Sequence, residues 1–116
     1  MRTLTINIST IEETQRRTLA AIKGDVKARG DFLSFTSWDL LHKVLTPKCM
    51  NILNAMTGEG NLSVREVARR VGRDIKGVHT DVKKLLSHGV IEHGPDGIQF
   101  PFDEIRFDFS LGHAAA

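Results

Sequence analysis

The stretch from Ser63 to Gly89, SVREVARRVGRDIKGVHTDVKKLLSHG, predicts two short helices joined by a tight turn at Gly72. Ser63 caps the first helix, and Glu66, three residues later, completes a capping box. Apolar residues recur at intervals of three and four, which gives each helix one buried face. They are Val64, Val67, Ala68 and Val71 in the first helix and Ile75, Val78, Val82, Leu85 and Leu86 in the second.

The spacing of Ala68, Gly72 and Val78 is typical of a helix-turn-helix. A small residue lets the helices approach, a glycine adopts the left-handed turn, and a β-branched residue packs the second helix on the first. The second helix, at about 75–88, would then lie in the major groove of DNA. Its outward positions, which can reach base edges, are Lys76, His79, Thr80 and Lys83.

Four further basic residues are candidates for contacts with the DNA backbone. Arg73 lies at the entrance of the second helix, where a helix N-terminus also favours phosphate. Arg65 and Arg69 on the first helix and Lys84 on the second would flank the backbone. A basic helix face on its own is more often simply solvated, and the turn spacing together with the hairpin that follows favours DNA.

The distribution of charge points the same way, although the net charge of the chain is only +2. Residues 62–86 contain seven basic and three acidic residues, whereas residues 86–116 contain one basic and five acidic residues. This asymmetry indicates an anionic partner for the helix pair.

Composition excludes several other classes of protein. The length of 116 residues suits one domain with a small appendage, and 41% hydrophobic residues suit a globular protein. Cys49 is the only cysteine, so we expect neither a disulfide nor a cysteine-based zinc site, and a reducing cytoplasm fits. The histidines lack metal-ligand spacing, no apolar run is long enough to span a membrane, and no catalytic motif is present. We therefore expect no enzyme, no cofactor and no metal.

The segment 1–30 is predicted to be a dimerisation unit. Thr3–Ile8 alternates polar and apolar residues and predicts a strand with Leu4, Ile6 and Ile8 on one face. A helix is predicted from Ile11 to Ala28. The predicted dimer surface extends from Leu4 to Val26, with Glu104–Leu111 as an optional addition.

The segment 31–116 is predicted to be the DNA-binding domain. Before the helix pair we expect a strand at Phe32–Phe35, followed by a helix that is capped by Ser37 and ends at Leu45. A second helix, capped by Thr46, should begin at Pro47 and end near Met56. A loop is predicted at Thr57–Asn61. Trp38 is predicted to anchor the core. The predicted buried face of the Pro47 helix includes Met50, Leu53 and Met56, and Cys49 is expected to be buried.

A hairpin is predicted after the helix pair, with strands at Val90–His93 and Ile98–Phe102. Its tip, Gly94–Gly97, carries Asp96 and no lysine or arginine, so we expect a weak or absent contact with DNA there, with His93 as the one contributor. The next strand, Glu104–Leu111, should place Ile105, Phe107, Phe109 and Leu111 inward, and Asp103, Glu104 and Asp108 on the solvent face of a sheet edge. The predicted fold class is α+β, a winged helix-turn-helix with an added N-terminal strand and helix.

The stretch LSVREVARRVGRDIKGVHTDVKKLLSHGVIE resembles the winged helix-turn-helix regulators of bacteria and archaea, broadly the MarR-like group. With the flanking stretches FTSWDLLHKVLTPK and IQFPFDEIRFDFSL, residues Leu33 to Leu111 resemble a family of small prokaryotic DNA-binding proteins. Some of these are described as transcriptional regulators and some as antitoxins. The resemblance implies a winged helix, a homodimer and autoregulation of a small operon.

We therefore expect a sequence-specific, DNA-binding transcriptional regulator that acts as a homodimer on double-stranded DNA. The alternative is an antitoxin that neutralises a toxin protein through its terminal segments. A third alternative is a winged helix that makes only protein contacts.

Overall fold

Four helices and two small sheets make up residues 2–8 and 31–109, which are the residues that this computed structural model describes. The strands are β1 (Thr3–Ile8), β2 (Asp31–Phe35), β3 (Asn61–Leu62), β4 (Glu92–His93), β5 (Ile98–Gln99) and β6 (Glu104–Phe107). The helices are α1 (Trp38–Val44), α2 (Pro47–Met56), α3 (Val64–Val71) and α4 (Ile75–Ser87). The predicted α+β class is confirmed. The helix predicted from Ile11 to Ala28 lies outside the described residues.

The first sheet has the order β2-β1-β6, and both pairings are parallel. The register aligns Leu4 with Ile105 and Ile6 with Phe107, so these four side chains share one face of the sheet. Leu4 and Ile6 are buried, as the alternation predicts. Because β1 of the predicted segment 1–30 lies between two strands of the predicted segment 31–116, the two segments share a sheet, and the division between them stays a prediction.

The helices begin where the sequence predicts them to begin. The hydroxyls of Ser37, Thr46 and Ser63 each accept a hydrogen bond from a backbone N–H three residues later, which satisfies a donor that the helix leaves free. Pro47 occupies the first turn of α2, where its missing N–H costs nothing. These caps fix the starts of α1, α2 and α3.

The second sheet has the order β3-β5-β4 and is antiparallel. β3 lies at the end of the loop predicted for Thr57–Asn61 and was not predicted as a strand. The hairpin of β4 and β5 packs closely on β3, because a Cβ added to Gly97 would lie 2.2 Å from the carbonyl oxygen of Leu62. A larger side chain at position 97 would separate the two strands.

One cluster of buried apolar side chains joins the two sheets through the helices. It includes Leu4 and Ile6 from β1, Ile52 and Leu53 from α2, and Phe100 after β5. Cys49 is fully buried, as predicted, and Met50 is only half-buried, because Cys49 and Ile52 take the inner face of α2.

Several residues predicted to be buried are exposed instead. Trp38 is 37% exposed, Ile75 42%, Phe107 43% and Phe109 39%. Trp38 and Ile75 are the first residues of their helices. Phe107 lies on the outer strand of its sheet. Phe109 lies two residues beyond the end of β6, because the strand predicted from Glu104 ends at Phe107 and not at Leu111. The side chains of Trp38, Ile75 and Phe107 project from an end or an edge of their elements.

Candidate nucleic-acid interface

The turn between α3 and α4 has the geometry that its sequence predicts. Gly72 has φ 70° and ψ 35°, in the left-handed region that residues with a Cβ rarely adopt. The backbone N–H of Arg73 donates to the carbonyl oxygen of Ala68 (3.1 Å), which closes the end of α3. Asp74 then caps α4 through a hydrogen bond from the N–H of Gly77 (2.8 Å). The chain therefore changes direction within three residues.

α4 is held against the body of the protein by one face. Val78, Val82 and Leu85 are at most 2% exposed, and they recur at the helical spacing of three and four. Val67 and Ala68 of α3 are also buried. The helix is fixed in this orientation by its packing, and its opposite face projects into solvent.

The exposed face of α4 carries Lys76, His79, Thr80 and Lys83, the four predicted base-contacting residues. Lys76 and Lys83 make no ion pair with any residue that the structure describes. The Thr80 hydroxyl donates to the carbonyl oxygen of Lys76 (3.2 Å), so these two residues stay adjacent on the same turn.

A groove of about 360 Å³ separates α4 from the β4–β5 hairpin. His79 and Lys83 line its helix side, and His93 lines its hairpin side. His93 is aligned with Ile98, which is buried, so the register directs both side chains toward α4. The structure thus brings His93 beside two of the predicted DNA-contacting residues.

Arg73 is engaged within the protein. Its Nη1 lies 2.9 Å from Oδ2 of Asp81, and the two side chains are only 22% and 18% exposed. This ion pair links the turn to the second turn of α4. The pairing was not predicted, because the two residues are eight positions apart and come together only when the chain folds back at Gly72.

The arginines of α3 share one acidic partner. Arg69 and Arg70 both donate to the carboxylate of Glu66, and Arg70 also pairs with Glu59 at 2.9 Å. The hydrogen bonds from Arg69 and then Arg70 lower the pKa of Glu66 to about 2, and the same contacts raise the pKa of both arginines. One half of the predicted capping box forms, because the Ser63 hydroxyl accepts a hydrogen bond from the N–H of Glu66. The Glu66 carboxylate, which the other half of the box would use, accepts from these arginines instead.

The two remaining candidates differ in their surroundings. Arg65 is exposed on α3 and makes no ion pair within the described part of the chain. Lys84 is half-buried, and its Nζ donates to the carbonyl oxygen of Lys43 in α1 (2.8 Å). Lys84 therefore ties α4 to α1, on a different side of the helix from Lys83.

Neither a metal site nor a membrane-spanning helix is evident in residues 2–8 and 31–109. No group of three or more His, Cys, Asp or Glu side chains there could hold a metal ion. No helix in these ranges is both long enough and apolar enough to cross a membrane.

The described part of the chain is thus an α+β protein with a helix pair that turns at Gly72 and an adjacent hairpin. The chain belongs to the HVO_A0114 family, whose model matches residues 44–107, just over half of its length. The matched region begins at the last residue of α1 and ends at the last residue of β6, so it contains both α3 and α4. No curated protein and no solved structure matches the chain significantly. The resemblance to MarR-like regulators stays a prediction.

Proposed function

We propose that this protein is a sequence-specific, DNA-binding transcriptional regulator that places α4 in the major groove. The observation that carries the proposal is the two-sided character of α4. Val78, Val82 and Leu85 fix one face in the core, while the other presents Lys76 and Lys83 without an ion pair in the described residues. Lysine can contact phosphates or the acceptor atoms of guanine.

The order of the elements supports a winged helix. α2, β3, α3, α4 and the β4–β5 hairpin follow one another, and β3 pairs with β5 to complete a three-stranded sheet beside the helices. In this proposal α4 is the recognition helix and the hairpin is the wing. The 13 residues of α4 span about 20 Å, which is longer than the roughly 12 Å width of the major groove.

The groove beside α4 indicates how the hairpin contributes. The tip of the hairpin carries Asp96, whose negative charge disfavours insertion toward phosphates. His93, in β4, lies across the groove from Lys83. We propose that His93, on the hairpin side of the groove, adds a hydrogen-bond donor next to Lys83 and that the tip of the hairpin stays outside the DNA grooves.

The regulator would act as a homodimer on two half-sites about one helical turn apart, roughly 34 Å. From the resemblance we further propose that it autoregulates a small operon, and from its single cysteine that it resides in a reducing cytoplasm.

A mobility-shift titration on DNA from the protein's own promoter tests the proposal. We expect the Lys76→Ala/Lys83→Ala variant to bind at least about 30-fold more weakly than the wild type, because each of the two lost base or phosphate contacts contributes on the order of 1 kcal/mol or more. Lys48→Ala is the matched control, since it removes an exposed lysine charge from α2. Equal affinity of the double variant and the wild type would contradict the proposal and favour a winged helix that makes only protein contacts.

The antitoxin alternative needs a terminal segment that binds a toxin. Residues 9–30 and 110–116 lie outside the described residues, so this alternative stays a prediction. A small toxin-like reading frame next to the gene would favour it.

A further inference from the structure

β6 lies at an edge of the parallel sheet, because the strand order is β2-β1-β6. β1 lies in the middle, so both of its edges are occupied, and the predicted N-terminal dimer strand offers no edge to a second chain. Within the described ranges no strand pairs with the outer side of β6. An open edge of this kind is a template for another strand.

Exposed aromatic side chains lie at the end of this edge. Phe107 and Phe109 are both more than one-third exposed, and their ring centroids are 6.0 Å apart. The ring of Phe109 also meets that of Trp38 edge to face at 4.7 Å. Clustered apolar surface of this kind typically marks an interaction site.

The hydrogen bonds to β1 determine which backbone groups of β6 point outward. The N–H of Asp108 donates to the carbonyl oxygen of Ile6 (2.9 Å), so Asp108 faces β1. Because the direction alternates along a strand, the N–H and C=O groups of Ile105 and Phe107 point away from the sheet, and an extension of β6 would direct those of Phe109 the same way. A second strand would have to pair with these three residues.

Two copies of β6 can pair antiparallel in several registers, each with a two-fold axis that passes beside one residue and its own copy in the partner. The charges of the side chains that face each other differ among these registers. An axis at Arg106 would set that residue against its own copy and Glu104 against the partner's Asp108, and both pairs are repulsive. An axis at Phe107 sets Arg106 against the partner's Asp108 twice, Phe107 against the partner's Phe107, and Ile105 against the partner's Phe109. An axis at Ile105 would also pair Arg106 with an acid, the partner's Glu104, but would place Phe107 opposite the partner's Asp103.

We propose that two copies of this chain pair through antiparallel β6 strands about a two-fold axis at Phe107, forming one continuous six-stranded sheet. Such an interface is self-complementary, as a two-fold axis requires. It would cover the exposed Phe107 and Phe109 and satisfy the outward backbone groups of β6. This inference rests on the proposed function in one respect, because it supplies an interface for the homodimer proposed there. The pairing itself can be tested without DNA.

A charge-swap experiment on the full chain tests this pairing. Sedimentation equilibrium should show a dimer for the wild type, and Arg106→Asp and Asp108→Arg should each raise its dissociation constant by about tenfold or more, since each variant creates two repulsive cross-strand pairs. Arg106→Asp/Asp108→Arg should restore the constant to within about threefold of the wild type. Arg106 and Asp108 are both exposed, so folding should persist, and circular dichroism checks this.

Cysteine cross-linking tests the register. Paired residues at the axis have Cα atoms about 5.5 Å apart, within reach of a disulfide, so Phe107→Cys should cross-link under mild oxidation. Arg106→Cys, whose copies would lie ~8 Å apart, should cross-link much more slowly. The native Cys49 is fully buried, so the new thiol is the one exposed to oxidant in residues 2–8 and 31–109.

Several results would overturn the pairing. They are a monomer at every concentration, a dimer that the single variants leave unchanged, a swap that restores nothing, and faster cross-linking at position 106 than at position 107. A β6 dimer that does not bind promoter DNA would leave this inference standing while the proposed function fails. DNA binding by a chain that stays monomeric would do the reverse.

Discussion

In α3, Arg69 and Arg70 both hold the carboxylate of Glu66, whereas in α4 Lys76 and Lys83 make no ion pair with the described residues. The turn between the helices behaves like α3, because Arg73 is paired with Asp81. The basic residues that look alike in the sequence therefore divide into two groups. Arg69, Arg70 and Arg73 are paired with acidic side chains, whereas Lys76 and Lys83 make no ion pair with the described residues.

This division affects how the charge of the stretch should be interpreted. Residues 62–86 contain seven basic and three acidic residues. Three of the seven basic residues, Arg69, Arg70 and Arg73, already have acidic partners. Exposed pairs such as Glu66–Arg69 stabilise little and can exchange partners, whereas the less exposed Arg73–Asp81 pair is costlier to break. In the proposed function, the main electrostatic contribution to DNA binding would therefore come from α4.

The largest effect is expected from a comparison of two adjacent lysines. Lys83→Met should weaken promoter binding by about tenfold or more, because it removes a charge from the exposed face of α4. Lys84→Met should change affinity by less than about threefold, because Lys84 donates to the Lys43 carbonyl on another side of the helix. Fluorescence anisotropy at one fixed salt concentration measures both, and equal losses would remove the distinction between the two sides.

A smaller effect, on stability, is expected at the turn. Arg73→Met should lower the free energy of unfolding by about 1–2 kcal/mol, because it leaves the carboxylate of Asp81 without its partner in a site of low exposure. Arg73→Met/Asp81→Leu should recover much of this loss, since an apolar pair can replace a buried ion pair. Urea denaturation measures both variants.

The same variant distinguishes two roles of Arg73. If Arg73→Met leaves stability unchanged and instead weakens DNA binding by tenfold, Arg73 contacts phosphate, as its position in the sequence predicts.

The smallest effect is expected at Glu66. Its pKa is lowered to about 2 in the folded protein from an ordinary value of 4.5, so its pairing stabilises the fold above pH 4.5 and is lost as the pH falls toward 2. Glu66→Gln should remove this part of the acid sensitivity, so the stabilities of variant and wild type should converge as the pH falls from 5 to 2. Urea midpoints across this range measure the convergence, and a constant difference would contradict the ion-pair account.

Glu66→Gln also frees Arg69, while Arg70 keeps its pairing with Glu59. We therefore expect DNA affinity near neutral pH to rise by up to about threefold, in line with one weak phosphate contact. Asp39→Asn, which neutralises an exposed acid on α1, is the control and should have no comparable effect.

Local features of this fold could be predicted from the sequence because they depend on neighbouring residues. The caps at Ser37, Thr46 and Ser63 and the left-handed turn at Gly72 are examples. The exposure of Trp38 and Ile75 could not be predicted, because helical periodicity does not say which element covers the first turn of a helix.

The candidate site was predictable to a similar extent. The solvent face of α4 follows from spacing alone, and Lys76 and Lys83 are exposed there. The partners of Arg73 and Lys84 depend on contacts across the turn and with α1, at separations of eight and 41 residues, which a helical pattern does not encode. The position of His93 beside Lys83 likewise depends on strand register.

The most direct test of the central claim is the salt dependence of promoter binding for the wild type and Lys76→Ala/Lys83→Ala. Each phosphate contact contributes a slope of roughly −0.9 in a plot of log affinity against log salt concentration. If α4 carries the binding, the wild type should lose affinity steeply with salt, and the double variant should have a slope smaller by up to about two units. An affinity that does not change with salt, or identical slopes with identical affinities, would contradict the claim.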